Sequence, residues 1–115
     1  MSDQPERLRH LPWQKFDTGE MTAPESAREK SGRTLFKDGN MSLVTVTVEA
    51  GGSVAAHSTH GPALIQVLKG AVDMRVGGDT VSVSEGEILA LSAGRDHDIH
   101  ARERSVLLLT LTTHG

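Results

Sequence analysis

The stretch that decides the fold runs from Glu49 to Gly70 and reads EAGGSVAAHSTHGPALIQVLKG. A glycine pair turns the chain near its start, and an apolar run of strand length lies just before its final glycine. Between these features stand two histidines three residues apart, His57 and His60. Imidazole is the commonest metal-binding side chain near neutral pH, and it binds in its neutral form. The stretch therefore predicts turn-rich β-structure that carries candidate metal ligands.

A second pair of histidines, His97 and His100, follows later in the chain, so four of the six histidines fall in two short clusters. Side chains alternate across a strand, so His97 and Ile99 are expected on one face and His100 on the other. The same alternation puts His57 and His60 on different faces. The Gly61-Pro62 pair after His60 predicts a bend, however, and both an inward ligand and a solvent-facing loop residue remain open for His60.

Strand patterns continue on both sides of the histidine stretch. Valine alternates with threonine from Val44 to Val48, and valine or methionine alternates with charged residues from Val72 to Val76. Asp38-Gly39 and Gly77-Gly78 are hairpin signals. The predicted strands are 33–37, 41–49, 64–68, 72–76, 81–83, 88–91, 97–102 and 106–112, beside the histidine stretch itself. Strands at this spacing predict an all-β sandwich or barrel, with no helix of ten or more residues.

Composition narrows the classes of function. A chain of 115 residues has the size of one domain, and the absence of cysteine excludes disulfides, thiolate ligands and thiol nucleophiles. Twelve basic residues against fifteen acidic ones, with no basic stripe, argue against nucleic-acid binding. The N-terminus has no signal-peptide pattern, and the longest apolar runs are too short to cross a bilayer. We therefore expect a soluble, cytoplasmic protein with no membrane partner.

The first 32 residues differ from the rest, because they are polar, irregular and interrupted by three prolines. Two of the three aromatic residues of the chain, Trp13 and Phe16, lie here. Large aromatics bury much apolar area, so we predict that residues 1–32 form an arm that packs on the barrel, residues 33–115, or on a second subunit. The alternative is a partly ordered tail.

Two segments resemble the motifs of the cupin family. Residues 51–57 (GGSVAAH), followed by 67–70 (VLKG), resemble the first motif, and residues 86–97 (GEILALSAGRDH) resemble the second. Ser92 stands where the family usually has proline. The resemblance covers about residues 34–112 and implies a jelly-roll or double-stranded β-helix barrel, often paired as a homodimer. The short hairpin between the motifs is similar to that of small bacterial single-domain cupins.

The resemblance also implies a metal inside the barrel, held by two histidines and a glutamate of the first motif and one histidine of the second. His57 and His97 match the first and last of these ligands. The second histidine falls on Thr59 and the glutamate on Ala63, neither of which replaces the expected ligand. The extra imidazoles of His60 and His100 lie close to the vacant positions. The predicted metal ligands are therefore His57, His60, His97 and His100.

Three functions follow as hypotheses. The first is a small cupin that binds Zn, Ni, Fe, Mn or Cu through these histidines and acts on, or senses, a small organic molecule. The second is a metal-free cupin that binds a small ligand in an aliphatic pocket as a sensor or carrier. The third is a dimeric structural or protective protein without a working cavity. The sequence leaves open whether the protein is an enzyme, because one barrel fold hosts many functions.

Overall fold

A computed structural model describes residues 12–22, 30–57 and 60–113, with only the backbone described for residues 30, 31 and 55–57. One short helix and nine strands lie within these ranges. They are α1 (Thr18–Met21), β1 (Lys30–Asp38), β2 (Met41–Val48), β3 (Ser53–His57), β4 (Ala63–Lys69), β5 (Ala71–Val76), β6 (Asp79–Ser84), β7 (Ile88–Leu91), β8 (His97–Ala101) and β9 (Ser105–Thr112). The strands reproduce the predicted set to within a few residues, and β1 begins at Lys30, inside the predicted arm.

The strands form two antiparallel sheets. One sheet has five strands in the order β1-β2-β9-β4-β7, and the other has four in the order β3-β8-β5-β6. The chain crosses from one sheet to the other between β2 and β3, and it crosses again at most later connections. This arrangement is a jelly-roll barrel, and it confirms the predicted all-β fold class.

Alternation along the strands builds the core between the sheets. The five-stranded sheet contributes Ile65, Val67 and Leu107, each with at most 1% of its surface exposed, and the four-stranded sheet contributes Val72 and Met74, which are fully buried. Each of these residues is followed by one that is more exposed, as a strand with one buried face requires. The hydrophobic pattern of the sequence therefore assigns the inner face of most strands.

Glycine makes the two hairpins that the sequence predicts. Gly39 connects β1 to β2 with φ of 59°, and Gly77 connects β5 to β6 with φ of 61°. Positive φ is strained for residues that carry a Cβ, so these turns depend on glycine.

The N-terminal segment contacts the barrel through part of its predicted anchor. Helix α1 begins after Asp17, whose carboxylate accepts a hydrogen bond of 2.8 Å from the Gly19 N–H. Met21 is buried, and Phe16 lines a small cavity with Leu35 of β1. Trp13, in contrast, is 62% exposed, so its packing on the barrel of its own chain is not observed. Packing of Trp13 on a second subunit stays a prediction.

No helix in the described ranges is long and apolar enough to span a membrane.

Candidate metal centre

Strands β3 and β8 bring the two histidine clusters together. Ser53 lies opposite His100, Val54 opposite Ile99, and His57 opposite His97. Residues opposed in an antiparallel pair have Cα atoms about 4.5–5.5 Å apart. Positions 57 and 97, forty residues apart in the chain, are therefore immediate neighbours in the sheet.

A β-bulge sets this register. Between the pairs Val54–Ile99 and His57–His97, β3 advances three residues while β8 advances two. Without the extra residue, Ala56 rather than His57 would lie opposite His97. Bulges re-aim positions in this way and are common beside functional sites. The sequence does not indicate this bulge, because neither glycine nor any other turn residue occurs between Val54 and His57.

The two faces of β8 carry different side chains. His97, Ile99 and Ala101 point into the barrel, with exposures of 4%, 3% and 0%, whereas Asp98 is half-buried on the outer face and His100 is exposed there. This is the orientation that alternation predicts for His97 and His100. The two rings lie on opposite sides of the sheet, so the structure does not bring them to one cavity.

His97 lies in a mostly aliphatic end of the barrel. On the side of β8 away from β3, its register partner is Val76 of β5, which packs against the core. The His97 Nδ1 atom is 3.4 Å from the carbonyl oxygen of Arg95. A carbonyl only accepts hydrogen bonds, so this contact favours the tautomer in which Nδ1 carries the proton and Nε2 carries the lone pair.

His60 lies at the surface, in the bend before β4. The bend is tied to the end of β9, because the Gly61 N–H donates to the Thr112 carbonyl (3.2 Å) and the Thr112 hydroxyl donates to the Pro62 carbonyl (2.7 Å). The exposed position is one of the two alternatives that the sequence leaves open for His60.

His100 belongs to a polar surface on the outer face of the four-stranded sheet. Its Nδ1 atom is 3.1 Å from the Ser53 hydroxyl. Asp73, which lies opposite His100 on β5, forms an ion pair with Arg102 at 3.3 Å. Ser53, Asp73 and His100 border a depression of about 390 Å³ that also includes Arg75 and Asp98.

Ala63 occupies the position where the cupin resemblance expects a glutamate. It is 2% exposed and lies between Leu91 of β7 and Leu111 of β9, so no carboxylate reaches the barrel interior from this position. Thr59 lies outside the described residues. Among the side chains that the structure describes, no three His, Asp or Glu residues gather closely enough to hold a metal ion, and the side chain of residue 57 is not among them.

Comparison with known proteins agrees with this architecture. The profile of the cupin-domain family matches residues 44–112, and no curated protein matches the chain. A conserved protein of unknown function from Streptococcus pyogenes is 24% identical with a TM-score of 0.70, over 75% of each chain. A cupin superfamily protein from Desulfitobacterium hafniense is 19% identical with a TM-score of 0.72, over 75% of this chain and 81% of its own.

An enzyme is also among the similar structures. A variant of oxalate decarboxylase from Bacillus subtilis is 16% identical with a TM-score of 0.68, over 76% of this chain and 26% of its own. At such identities the likeness concerns the fold alone. The family profile, in contrast, covers more than half of the chain and includes both histidine strands. The chain belongs to the cupin family.

Proposed function

We propose that this protein is a small cupin that binds a divalent transition metal at the β3–β8 end of its barrel and acts on, or senses, a small organic molecule. The observation that carries the proposal is the direct opposition of His57 and His97 in the sheet. His97 is buried on the inner face of the barrel, and position 57 is its register partner on β3. Two imidazoles in this relation are a suitable core for a Zn, Ni, Fe, Mn or Cu site.

The chemistry of the donors supports a site with open coordination positions. With Nδ1 facing the Arg95 carbonyl, His97 would bind a metal through Nε2, and a backbone carbonyl on the other ring nitrogen is the usual arrangement of a metal-binding histidine. Catalytic metal sites typically use three protein ligands and leave a position for water or substrate. A bound metal would supply Lewis-acid chemistry, and Val76, the register partner of His97 on β5, would offer apolar surface to the organic part of a ligand.

His60 and His100 remain predicted ligands. Because both residues are exposed, we assign them a smaller role in metal binding than His57 and His97. To bind the metal, His100 would have to give up its contact with Ser53. Catalytic activity, a bacterial origin, a cytoplasmic location and a homodimeric state likewise stay predictions.

A metal-free small-ligand or sensor cupin is the second candidate. Ala63 favours it, because this residue fills with a methyl group the position from which a family carboxylate would reach the metal. In that case the aliphatic end of the barrel would itself be the binding surface.

Metal analysis separates the two candidates. Untagged protein purified without a nickel column is analysed for bound elements, and its thermal midpoint is measured with added Zn, Ni, Mn, Cu or Fe. We expect near-stoichiometric metal or a rise in the midpoint, because a ligand that binds only the native state stabilises it. A His57→Ala, His97→Ala double variant should lose both effects.

His100→Ala serves as the control for position, since it removes an imidazole from the outer face of the same strand. Because His100 is given the smaller role, this variant should lose less metal and less of the thermal shift than the double variant. Absence of metal and of any shift in the unmodified protein would favour the metal-free candidate. Equal loss in the control and the double variant would contradict a site centred on His57 and His97.

A further inference from the structure

The outer face of the four-stranded sheet carries two adjacent rows of opposed polar residues. The first row crosses all four strands and consists of Ser53, His100, Asp73 and Ser82. The Ser53 hydroxyl lies 3.1 Å from Nδ1 of His100. Asp73 accepts a hydrogen bond of 2.9 Å from the Ser82 hydroxyl and forms its ion pair with Arg102. Every side chain of this row therefore has a partner, and the negative charge of Asp73 is neutralised.

The second row, two residues further along the strands, differs from the first. Its members are Asp98 of β8, Arg75 of β5 and Thr80 of β6, and Arg75 lies opposite both of the others. Within the part of the chain that the structure describes, none of these three side chains forms a hydrogen bond or an ion pair. An unpaired guanidinium group and an unpaired carboxylate are thus cross-strand neighbours.

Residues of both rows line the depression of about 390 Å³ on this face. Its volume lies within the range of small-molecule sites. The guanidinium of Arg75 can only donate hydrogen bonds and the carboxylate of Asp98 can only accept them, while the hydroxyls of Ser53 and Thr80 and the imidazole of His100 lie beside them. The depression therefore offers a ligand one cationic group, one anionic group and several uncharged polar groups.

We propose that this depression binds a free α-amino acid with an uncharged polar side chain. Arg75 donates to the ligand's carboxylate, in the bidentate geometry that a guanidinium favours, and Asp98 accepts from the ligand's ammonium group. The two ligand groups are carried on one carbon atom, and opposed residues have Cβ atoms about 4.5–5.5 Å apart, so the ligand reaches both partners at once. The hydroxyl of Ser53 and the imidazole of His100 face the ligand's side chain.

Direct pairing of Arg75 with Asp98 is the competing arrangement. An exposed ion pair of this kind contributes little to stability, so it competes weakly with a ligand that satisfies both groups with charge-assisted hydrogen bonds. A ligand with only one of the two charges leaves one of the groups without a partner and binds more weakly. The depression faces away from the barrel interior, so this site does not depend on a metal at position 57 and His97.

Titration of the wild-type protein with L-glutamine, followed by the NMR chemical shifts of its backbone amides, tests the proposal. We expect saturable shifts around Arg75, Thr80 and Asp98, with a dissociation constant in the millimolar range because both ion pairs face solvent. L-glutamine amide, which lacks the carboxylate, and N-acetyl-L-glutamine, which lacks the ammonium group, should each bind about tenfold more weakly. L-leucine keeps both charges but has an apolar side chain, and it should also bind more weakly than L-glutamine.

Variants of the two charged residues assign each part of the ligand to its partner. Arg75→Gln should weaken L-glutamine binding about tenfold and abolish the difference between L-glutamine and its amide. Asp98→Asn should weaken binding by a similar factor and abolish the difference between L-glutamine and its N-acetyl derivative. Arg33→Gln on β1 and Glu85→Gln in the turn after β6 make the same changes of charge at exposed positions elsewhere, and they should leave the dissociation constant unchanged.

The ligand derivatives give an answer on the wild-type protein even if a variant is destabilised. Absence of saturable shifts at tens of millimolar L-glutamine would overturn the proposal, and so would shifts confined to residues of the barrel interior. Equal binding of L-glutamine and its two singly charged derivatives would contradict the pairing with Arg75 and Asp98. Equal weakening by the Arg33 and Glu85 variants would contradict it as well, and equal binding of L-leucine would contradict the preference for a polar side chain.

Discussion

Gly70 shows how a single residue holds two strands in place. It lies between β4 and β5 with φ of 95°, and a Cβ atom built there would overlap the Arg104 carbonyl and the Ser105 hydroxyl. We expect Gly70→Ala to lower the free energy of unfolding by about 3 kcal/mol, since both the backbone and its surroundings would have to move. The midpoint of urea denaturation measures this loss.

Gly78→Ala is the control, because the space around Gly78 is open and its backbone needs no positive φ. Its free energy of unfolding should change by less than about 1 kcal/mol. Comparable losses in both variants would contradict the role assigned to close packing at Gly70.

Ala63 permits a residue-scale test of the metal site. Ala63→Glu buries a carboxylate, so without metal we expect the variant to lose about 3 kcal/mol of stability. If a metal binds between His57 and His97, the new carboxylate becomes a ligand, and added metal should raise the thermal midpoint more than in the wild type. Ala63→Gln introduces a similar volume without the charge and should lack the larger shift. Equal shifts in the two variants would place the metal away from residue 63.

Ser105 connects two elements, the beginning of β9 and the beginning of β5. Its buried hydroxyl accepts a hydrogen bond from the Ala71 N–H (3.1 Å) and donates to the Glu103 carbonyl (2.8 Å). Ser105→Ala would leave the Ala71 N–H without this acceptor, at a cost of about 1–3 kcal/mol in unfolding free energy. Urea denaturation measures the cost. Ser84→Ala, in an exposed position of β6, should cost less than about 0.5 kcal/mol.

The shared core should make the whole barrel unfold as one unit. Ile65 of one sheet and Met74 of the other belong to the same buried cluster. Ile65→Ala and Met74→Ala should each cost about 2–5 kcal/mol, because each leaves a cavity between the sheets. Amide hydrogen exchange should then accelerate in β4 and β5 alike in both variants. Acceleration confined to the mutated sheet would show that the sheets unfold separately. Val81→Ala, at a position that is 37% exposed, should cost less than about 1 kcal/mol.

Much of this fold can be predicted from the pattern of residues that are near one another in the sequence. Alternation of period two identifies strands such as β2 and β5, and the glycines at 39 and 77 identify their hairpins, because both signals depend only on residues near in sequence. The same local rule orients His97 and His100 correctly on β8. The exposure of Trp13 lies outside this rule, because it depends on the surface that the N-terminal arm meets.

The amino-acid sequence by itself therefore determined the all-β class, the set of strands and the inner face of most of them. Only the tertiary structure decided that β3 pairs with β8 and that a bulge brings position 57 opposite His97. The physical reason is that strand register is fixed by contacts between residues far apart in the chain. Local hydrophobic alternation specifies which face of a strand is buried, but it does not specify which strand pairs with it or in which register.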